Sequence, residues 1–258
     1  MTYEFCKTER QGNILVVTLN RPEVYNAMHG PMHDELAKVW DDFQADPELW
    51  VAVLTGAGEK AFSAGNDLKA TASGAPLSQN PAGFAGLATR YDRTKPIVAA
   101  VNGFAMGGGF ETALACDVII AADTATFALP EVKVGLFAGA GGVQRLSRQI
   151  GRKLAVEMML TGRHVSAEEG ARLGFVNQVV PKADLMDAAM AKAKEIASVS
   201  PSSVRATMEV LVAMDEIERF KEAMAASKPV MNSLKDTEDF VEGVKAFVEK
   251  RAPQWKNR

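Results

Sequence analysis

Short β-branched runs alternate with amphipathic stretches along this chain. Ile14 to Leu19 reads Ile-Leu-Val-Val-Thr-Leu and ends at Asn20-Arg-Pro22, which predicts a strand followed by a turn. From Pro31 onward, Met32, Leu36, Trp40 and Phe43 recur at helical spacing with polar residues between them, as in an amphipathic helix. Trp50 to Thr55 reads as a second strand, closed by Gly56-Ala-Gly58. Residues 70–85, rich in Ala, Ser, Gly and Pro, read as a mobile loop. Pro96 to Val101 is a fully apolar strand, followed by the glycine-rich segment Asn102 to Gly109 and an apolar helix. Val118 to Ile120 is a further strand, and Gly139-Ala-Gly-Gly142 opens another helix. Ser166-Ala-Glu-Glu169 has the form of a capping box, in which serine and glutamate satisfy each other's free backbone N–H; Gly174 ends that helix.

Phe175 to Val180 is the last strand, and after Pro181 the pattern changes. Leu185, Ala188, Ala189, Ala193 and Ile196 form one helical face; Phe240, Val244, Phe247 and Val248 form another. The tail beyond about residue 200 is therefore expected to be all helical. Strands alternating with helices predict an α/β fold with a largely parallel sheet covered on both faces.

Composition narrows the functional classes. In 258 residues, 47% hydrophobic and 24% charged, there is ample material for a sizeable core. A formal net charge of -3 argues against a nucleic-acid binder, because phosphate neutralisation needs a strongly basic balance. No run approaches the ~18 apolar residues of a membrane helix. Met1 to Asn13 is polar and mixed in charge, unlike a signal peptide or an organelle presequence, so a cytoplasmic location is expected. The two cysteines, Cys6 and Cys116, make neither a disulfide framework nor a metal cluster, and Cys116 reads as a small buried thiol. His29, His33 and His164 show no metal spacing and read as surface or helix residues.

None of the glycine-rich segments reads G-x-G-x-x-G or G-x-x-x-x-G-K-[ST], so a dinucleotide or nucleoside-triphosphate site is unsupported. Gly107-Gly-Gly-Phe-Glu111, between a buried strand and a helix, lets backbone approach a ligand closely. Its free N–H groups at a helix start suit an oxygen that gains negative charge, with Glu111 one turn away. The same glycines equally serve tight strand–helix packing. Ala61-Phe-Ser-Ala-Gly-Asn-Asp67 either exposes a further N–H or is an ordinary turn in which Asp67 caps a helix. Glu131, in Ala128-Leu-Pro-Glu131 among apolar neighbours, is either a surface turn residue or a pocket acid with a raised pKa.

Asn20-Arg-Pro, Asn26-Ala-Met, Ala61-Phe-Ser-Ala-Gly-Asn-Asp, Ala100-Val-Asn-Gly-Phe-Ala-Met-Gly-Gly-Gly-Phe-Glu111, Phe127-Ala-Leu-Pro-Glu131 and Gly139-Ala-Gly-Gly-Val-Gln-Arg-Leu146 occur in one order. Together they resemble the crotonase superfamily, the enoyl-CoA hydratase/isomerase family, from about Ile14 to the C-terminus. The resemblance implies a spiral of ββα units over residues 1–199 and a helical region over 200–258 used for assembly as a homotrimer, or as a hexamer of two trimers. It implies no separate cofactor, coenzyme A being part of the substrate. The backbone N–H groups of Asn66 and Gly108 would then form an oxyanion hole for an acyl-CoA thioester, with Glu111 as base and Glu131 as acid around one water. Ser63, Ala64, Gly65, Asp67, Leu68, Lys69, Gly107 and Phe137 would contact substrate. The resulting expectation is an enoyl-CoA hydratase. An isomerase, another acyl-CoA dehydratase of carnitinyl-CoA type, a thioester hydrolase and a silent acyl-CoA binder are the alternatives. Two positions depart from the family pattern: Asn66 stands where hydratases commonly have alanine, and Ala138 where proline is expected, which would loosen the loop beside Glu131.

Overall fold

In the computed structural model, residues 3–75, 78–213, 221–222, 224–225, 228–229, 232 and 235–254 are described. Strands β1 (Cys6–Gln11) and β2 (Ile14–Leu19) form an antiparallel hairpin, and α1 (Gly30–Ala45) follows. Two sheets are then built in step. Strands β3 (Val51–Gly56), β5 (Ile97–Val101), β7 (Val118–Ala122) and β10 (Gln178–Val180) extend the first in the order β1-β2-β3-β5-β7-β10, parallel from β2 onward. Strands β4 (Ala61–Ser63), β6 (Phe104–Met106), β8 (Thr126–Ala128) and β9 (Val165–Ser166) form the second in that order.

Each turn of the chain thus lays one strand in each sheet before passing through a helix. The helices are α2 (Leu68–Ala72) after β4 and α3 (Gly108–Leu114) after β6. This is the expected spiral of ββα units. β3 and β5 are buried at every residue because the second sheet lies against one side and α7 (Leu185–Ala197) against the other. Such two-sided burial explains why both strands read as unbroken apolar runs rather than as alternating ones.

The core joins the apolar face of α1 (Met32, Leu36, Trp40, Phe43) to β2, β3, β5 and β7, with Phe110, Phe127 and Phe175 in mutual ring contact beneath the second sheet. Between β7 and α7 run α4 (Gly142–Gln149), α5 (Arg152–Thr161) and α6 (Ala167–Leu173). Ser166 caps α6 by accepting the Glu169 N–H at 3.1 Å. The reciprocal half of the expected capping box is not made: the Glu169 carboxylate pairs instead with Arg163 at 2.8 Å, a stronger, charged donor.

The tail beyond 200 contains α8 (Pro201–Ala213) and α9 (Glu238–Glu249). α9 returns to pack on α2 and on the 3-10 turn Glu131–Val134. Its inward side differs from the expected one. Gly243 and Ala246 are buried and Phe240 and Val244 half-buried, whereas Phe247 and Val248 stand 53% and 46% exposed.

The Asn26-Ala-Met block is explained by one buried amide. Asn26 donates to Ala57 O and Ala61 O, both at 2.9 Å, and accepts the Arg21 N–H at 2.9 Å, tying the β3–β4 turn to the loop after β2. Removing it strands three backbone groups, one buried and two partly buried. Asn26→Ala is expected to lower unfolding free energy by roughly 1–3 kcal/mol; an unchanged denaturant midpoint would count against this role.

Candidate active site

The site is built around the first turn of α3. Gly107 adopts φ 53°, ψ -125°, a conformation open to glycine, and turns β6 into the helix while its N–H donates to Ala128 O of β8 at 2.9 Å. The next N–H, that of Gly108, has no acceptor among the described residues. Beside it lies the Gly65-Asn66 peptide. Met28 N–H donates to Gly65 O at 2.7 Å and Asp67 N–H to Met28 O at 2.8 Å, a parallel bridge centred on Asn66. In an extended segment the polar groups of neighbouring residues alternate sides, so the Asn66 N–H points away from Met28. It too has no acceptor among the described residues.

The two peptides adjoin. A Cβ added to Gly65, whose φ is 86°, would sit 2.9 Å from Gly108 N and 2.6 Å from Met106 O. The Asn66 side chain lies off to one side, donating from Nδ2 to Thr71 Oγ1 at 3.0 Å on α2. The residue that departs from the family pattern therefore braces a helix and leaves its peptide N–H available.

Two carboxyl groups border the same spot. Glu111, one turn into α3, is 4% exposed and accepts the Gly142 N–H at 2.8 Å and the Ala140 N–H, both from the start of α4. Burial raises its pKa from 4.5 to about 7, opposed by those two N–H donors and by the Arg145 charge. Glu131 opens the 3-10 turn after β8. A Cβ on Gly107 would lie 3.0 Å from its Oε1. The residue as a whole is half-buried, but both carboxylate oxygens are sealed from solvent without a hydrogen-bond partner among the described residues. Burial first, and the like charge of Glu111 second, hold its pKa well above 4.5. The pocket reading of Glu131 is the right one, and the surface reading fails.

The remaining candidates divide. Ser63 is wholly buried, with its hydroxyl donating to Asn26 O at 2.8 Å and accepting Gly65 N–H at 3.1 Å. Asp67 caps α2 through Ala70 N–H at 3.1 Å and pairs with Arg21 at 2.9 Å; the cap and the Arg21 charge outweigh burial and hold its pKa below normal. Both side chains are thus occupied in shaping the loop. Ala64 and Lys69 are exposed, and Leu68 and Phe137 half-buried. Ala138 is buried against the start of α4, within 2.7 Å of a Cβ built on Gly142, so its small side chain admits that helix close to Glu111.

Four residues have parts that the sequence reading did not assign. The Gly142 and Ala140 N–H groups hold Glu111, and the small-residue run Gly139-Ala-Gly-Gly142 was their only signal. Half-buried Phe84 lies on the site wall: a Cβ on Gly108 would come within 2.4 Å of its ring. His33 is not a surface residue but 7% exposed, and it accepts the Ala85 N–H at 3.0 Å. In the segment 70–85, α2 occupies the start and a 3-10 turn, Phe84–Gly86, closes the end; Pro76 and Leu77 lie outside the described residues. Among the described residues no cluster of His, Cys, Asp and Glu has the form of a metal site, and no helix is long and apolar enough to cross a membrane.

Stacked sheets of spiral ββα units, with paired buried carboxyl groups and two adjoining free N–H groups at a helix start, define an α/β protein of the crotonase type. A family model described as enoyl-CoA hydratase/isomerase matches residues 9–258. The carnitinyl-CoA dehydratases of Citrobacter koseri and Escherichia coli K12 are each 45% identical over 254 residues, 96% of this chain and 97% of theirs. The crystal structure of carnitinyl-CoA hydratase from Mycobacterium avium is 42% identical with a TM-score of 0.94 and covers 100% of both chains. That of enoyl-CoA hydratase from Mycobacterium tuberculosis H37Rv is 38% identical with a TM-score of 0.77, covering 98% of this chain and 99% of the other. The chain belongs to the enoyl-CoA hydratase/isomerase family.

Proposed function

We propose that the protein is a hydro-lyase acting on an acyl-CoA thioester, adding water reversibly across the double bond of a 2-enoyl-CoA. The observation that carries this reading is the pair of buried carboxyl groups beside two free N–H groups. The β-carbon of an unsaturated thioester is a poor electrophile until negative charge can collect on the thioester oxygen. The N–H groups of Asn66 and Gly108 stabilise that charge in a dry site, where fixed donors act most strongly. A pair sharing one proton supplies the rest. Ionised Glu111 takes a proton from water as the oxygen attacks the β-carbon, and protonated Glu131 gives its proton to the α-carbon. Glu111 accepts the Gly142 N–H, which favours its ionised form, whereas the buried oxygens of Glu131 have no such donor, and this supports the order of roles.

Isomerisation needs one base and no held water, so the retained pair favours hydration. A silent binder has no use for two costly buried acids. Among substrates, a 3-hydroxyacyl-CoA of carnitinyl type has a specific argument in its favour, namely the name shared by the relatives at 45% identity. Assembly into trimers and a coenzyme A path along Ala64 to Lys69 belong to the same proposal.

The test is absorbance of the enoyl-thioester band with crotonyl-CoA and with crotonobetainyl-CoA, followed by product analysis. Hydration is expected to bleach the band with one water added. Release of free coenzyme A in its place would replace the reading with hydrolysis, and migration of the double bond in a 3-enoyl-CoA without hydration would replace it with isomerisation.

A further inference from the structure

The 3-10 turn Phe84–Gly86 is held in an unusual shape. Gly83, Ala85 and Gly86 all have positive φ, at 73°, 55° and 66°. For Ala85, a residue with a Cβ, that left-handed conformation is strained, so neighbouring groups must hold it. Two side chains of α1 do so. His33 Nδ1 accepts the Ala85 N–H at 3.0 Å, and Trp40 Nε1–H donates to Ala85 O at 3.0 Å. They are 7% and 1% exposed, so neither bond competes with water. Gly86 seats the turn on α1, where an added Cβ would lie 2.5 Å from Ala37 Cα.

The His33 bond dictates a protonation state. A backbone N–H can only donate, so Nδ1 carries no proton and the imidazole is neutral with hydrogen on Nε2. Burial, the main cause, pushes the ring's pKa down to about 4, consistent with that state. The same ring meets that of Phe84 at a tilt of 55° with centroids 4.3 Å apart, and Phe84 in turn lies against Gly108. A continuous chain of contacts thus runs from His33 on the outer helix to the peptide proposed to hold the thioester oxygen.

We propose that His33 is a positioning residue for acyl selectivity: by clasping Ala85 it fixes Phe84 against Gly108, and Phe84 limits the depth open to the acyl chain. This rests on the acyl-CoA reading above. Arg145 Nη2 ties down the far end of the same loop by donating to Ala88 O at 2.7 Å.

The test uses the full-length protein and the variants His33→Leu, His33→Asn, Phe84→Ala and His33→Leu/Phe84→Ala. In asparagine, Oδ1 stands near the place of Nδ1 and retains an acceptor. Two readouts are taken: hydrogen exchange at the Ala85 amide, and calorimetric affinity for saturated thioesters from butyryl-CoA to decanoyl-CoA. Exchange is expected to quicken by roughly ten-fold in His33→Leu and to return toward the wild-type rate in His33→Asn. Phe84→Ala is expected to shift relative affinity toward decanoyl-CoA by at least ten-fold, the scale of a pocket gaining a few methylenes of depth. His33→Leu should shift it the same way, and the double variant no further than Phe84→Ala alone. Equal weakening toward every chain length in His33→Leu, or faster exchange in His33→Asn to match it, would overturn the proposal. Wild-type protein that binds none of the series would overturn the acyl-CoA reading and the selectivity role together, while the exchange readout would still decide the clasp.

Discussion

Glu111→Gln and Glu131→Gln are each expected to lower turnover of the enoyl-CoA substrate by roughly 10²–10⁴, the usual worth of one positioned proton transfer. Each carboxyl group has a separate task, so neither loss is repaired by the other. Affinity for a saturated acyl-CoA should change little, since the N–H groups of Asn66 and Gly108 remain. The pH profile follows from the raised pKa values. With one proton shared by the pair, the rate should climb through about pH 7 as Glu111 ionises and fall at higher pH as Glu131 loses its proton. The same shifts have a stability counterpart. A carboxyl whose pKa is 4.5 unfolded and about 7 folded binds more protons in the folded state between those values. Stability therefore falls as pH rises across that window, and the glutamine variants, which carry no charge to bury, should melt higher than wild type at pH 8. Undiminished turnover in either variant would remove that carboxyl from the mechanism, and a lower melting temperature in both would show that the pair stabilises the fold.

The second large effect is expected at Gly65. Alanine there brings a methyl group to within 2.9 Å of Gly108 N and 2.6 Å of Met106 O, at a φ of 86° that alanine adopts only under strain. Relief requires the peptides of residues 65 and 108 to part, which takes one donor off the shared target. Turnover should fall roughly 10²–10³-fold, as for deletion of a single oxyanion donor, with some loss of stability alongside. A folded Gly65→Ala variant with wild-type turnover would show that the two N–H groups do not act on one oxygen.

Much of the larger sheet was legible in the amino-acid order. β2, β3, β5 and β7 are continuous runs of branched apolar residues, and each fell within a residue or two of its expected bounds. The same holds for α1, whose apolar positions recur every three or four residues and are all buried. The second sheet was not legible. β4, β6, β8 and β9 are two or three residues long, too short for any periodicity to show, and their segments read as a turn, a glycine-rich stretch, an apolar run and a helix cap rather than as strands. They exist because neighbouring turns of the spiral align them.

The chemical groups followed the same division. Local order alone placed Glu111 one turn after three glycines and Glu131 behind a proline in apolar company, since both are matters of spacing and neighbourhood along the chain. Whether Glu131 met water or a pocket depended on β8, α9 and Gly107 closing around it. Whether Gly65 and Gly108 shared one opening depended on Met28 pairing with Asn66 across a gap of almost forty residues. His33 is the sharpest instance, because its helical position was plain while its task was invisible. Its partner, Ala85, is brought to it only when the whole loop folds back over α1. The meeting of distant backbone groups is a property of the closed fold, and no local pattern encodes it.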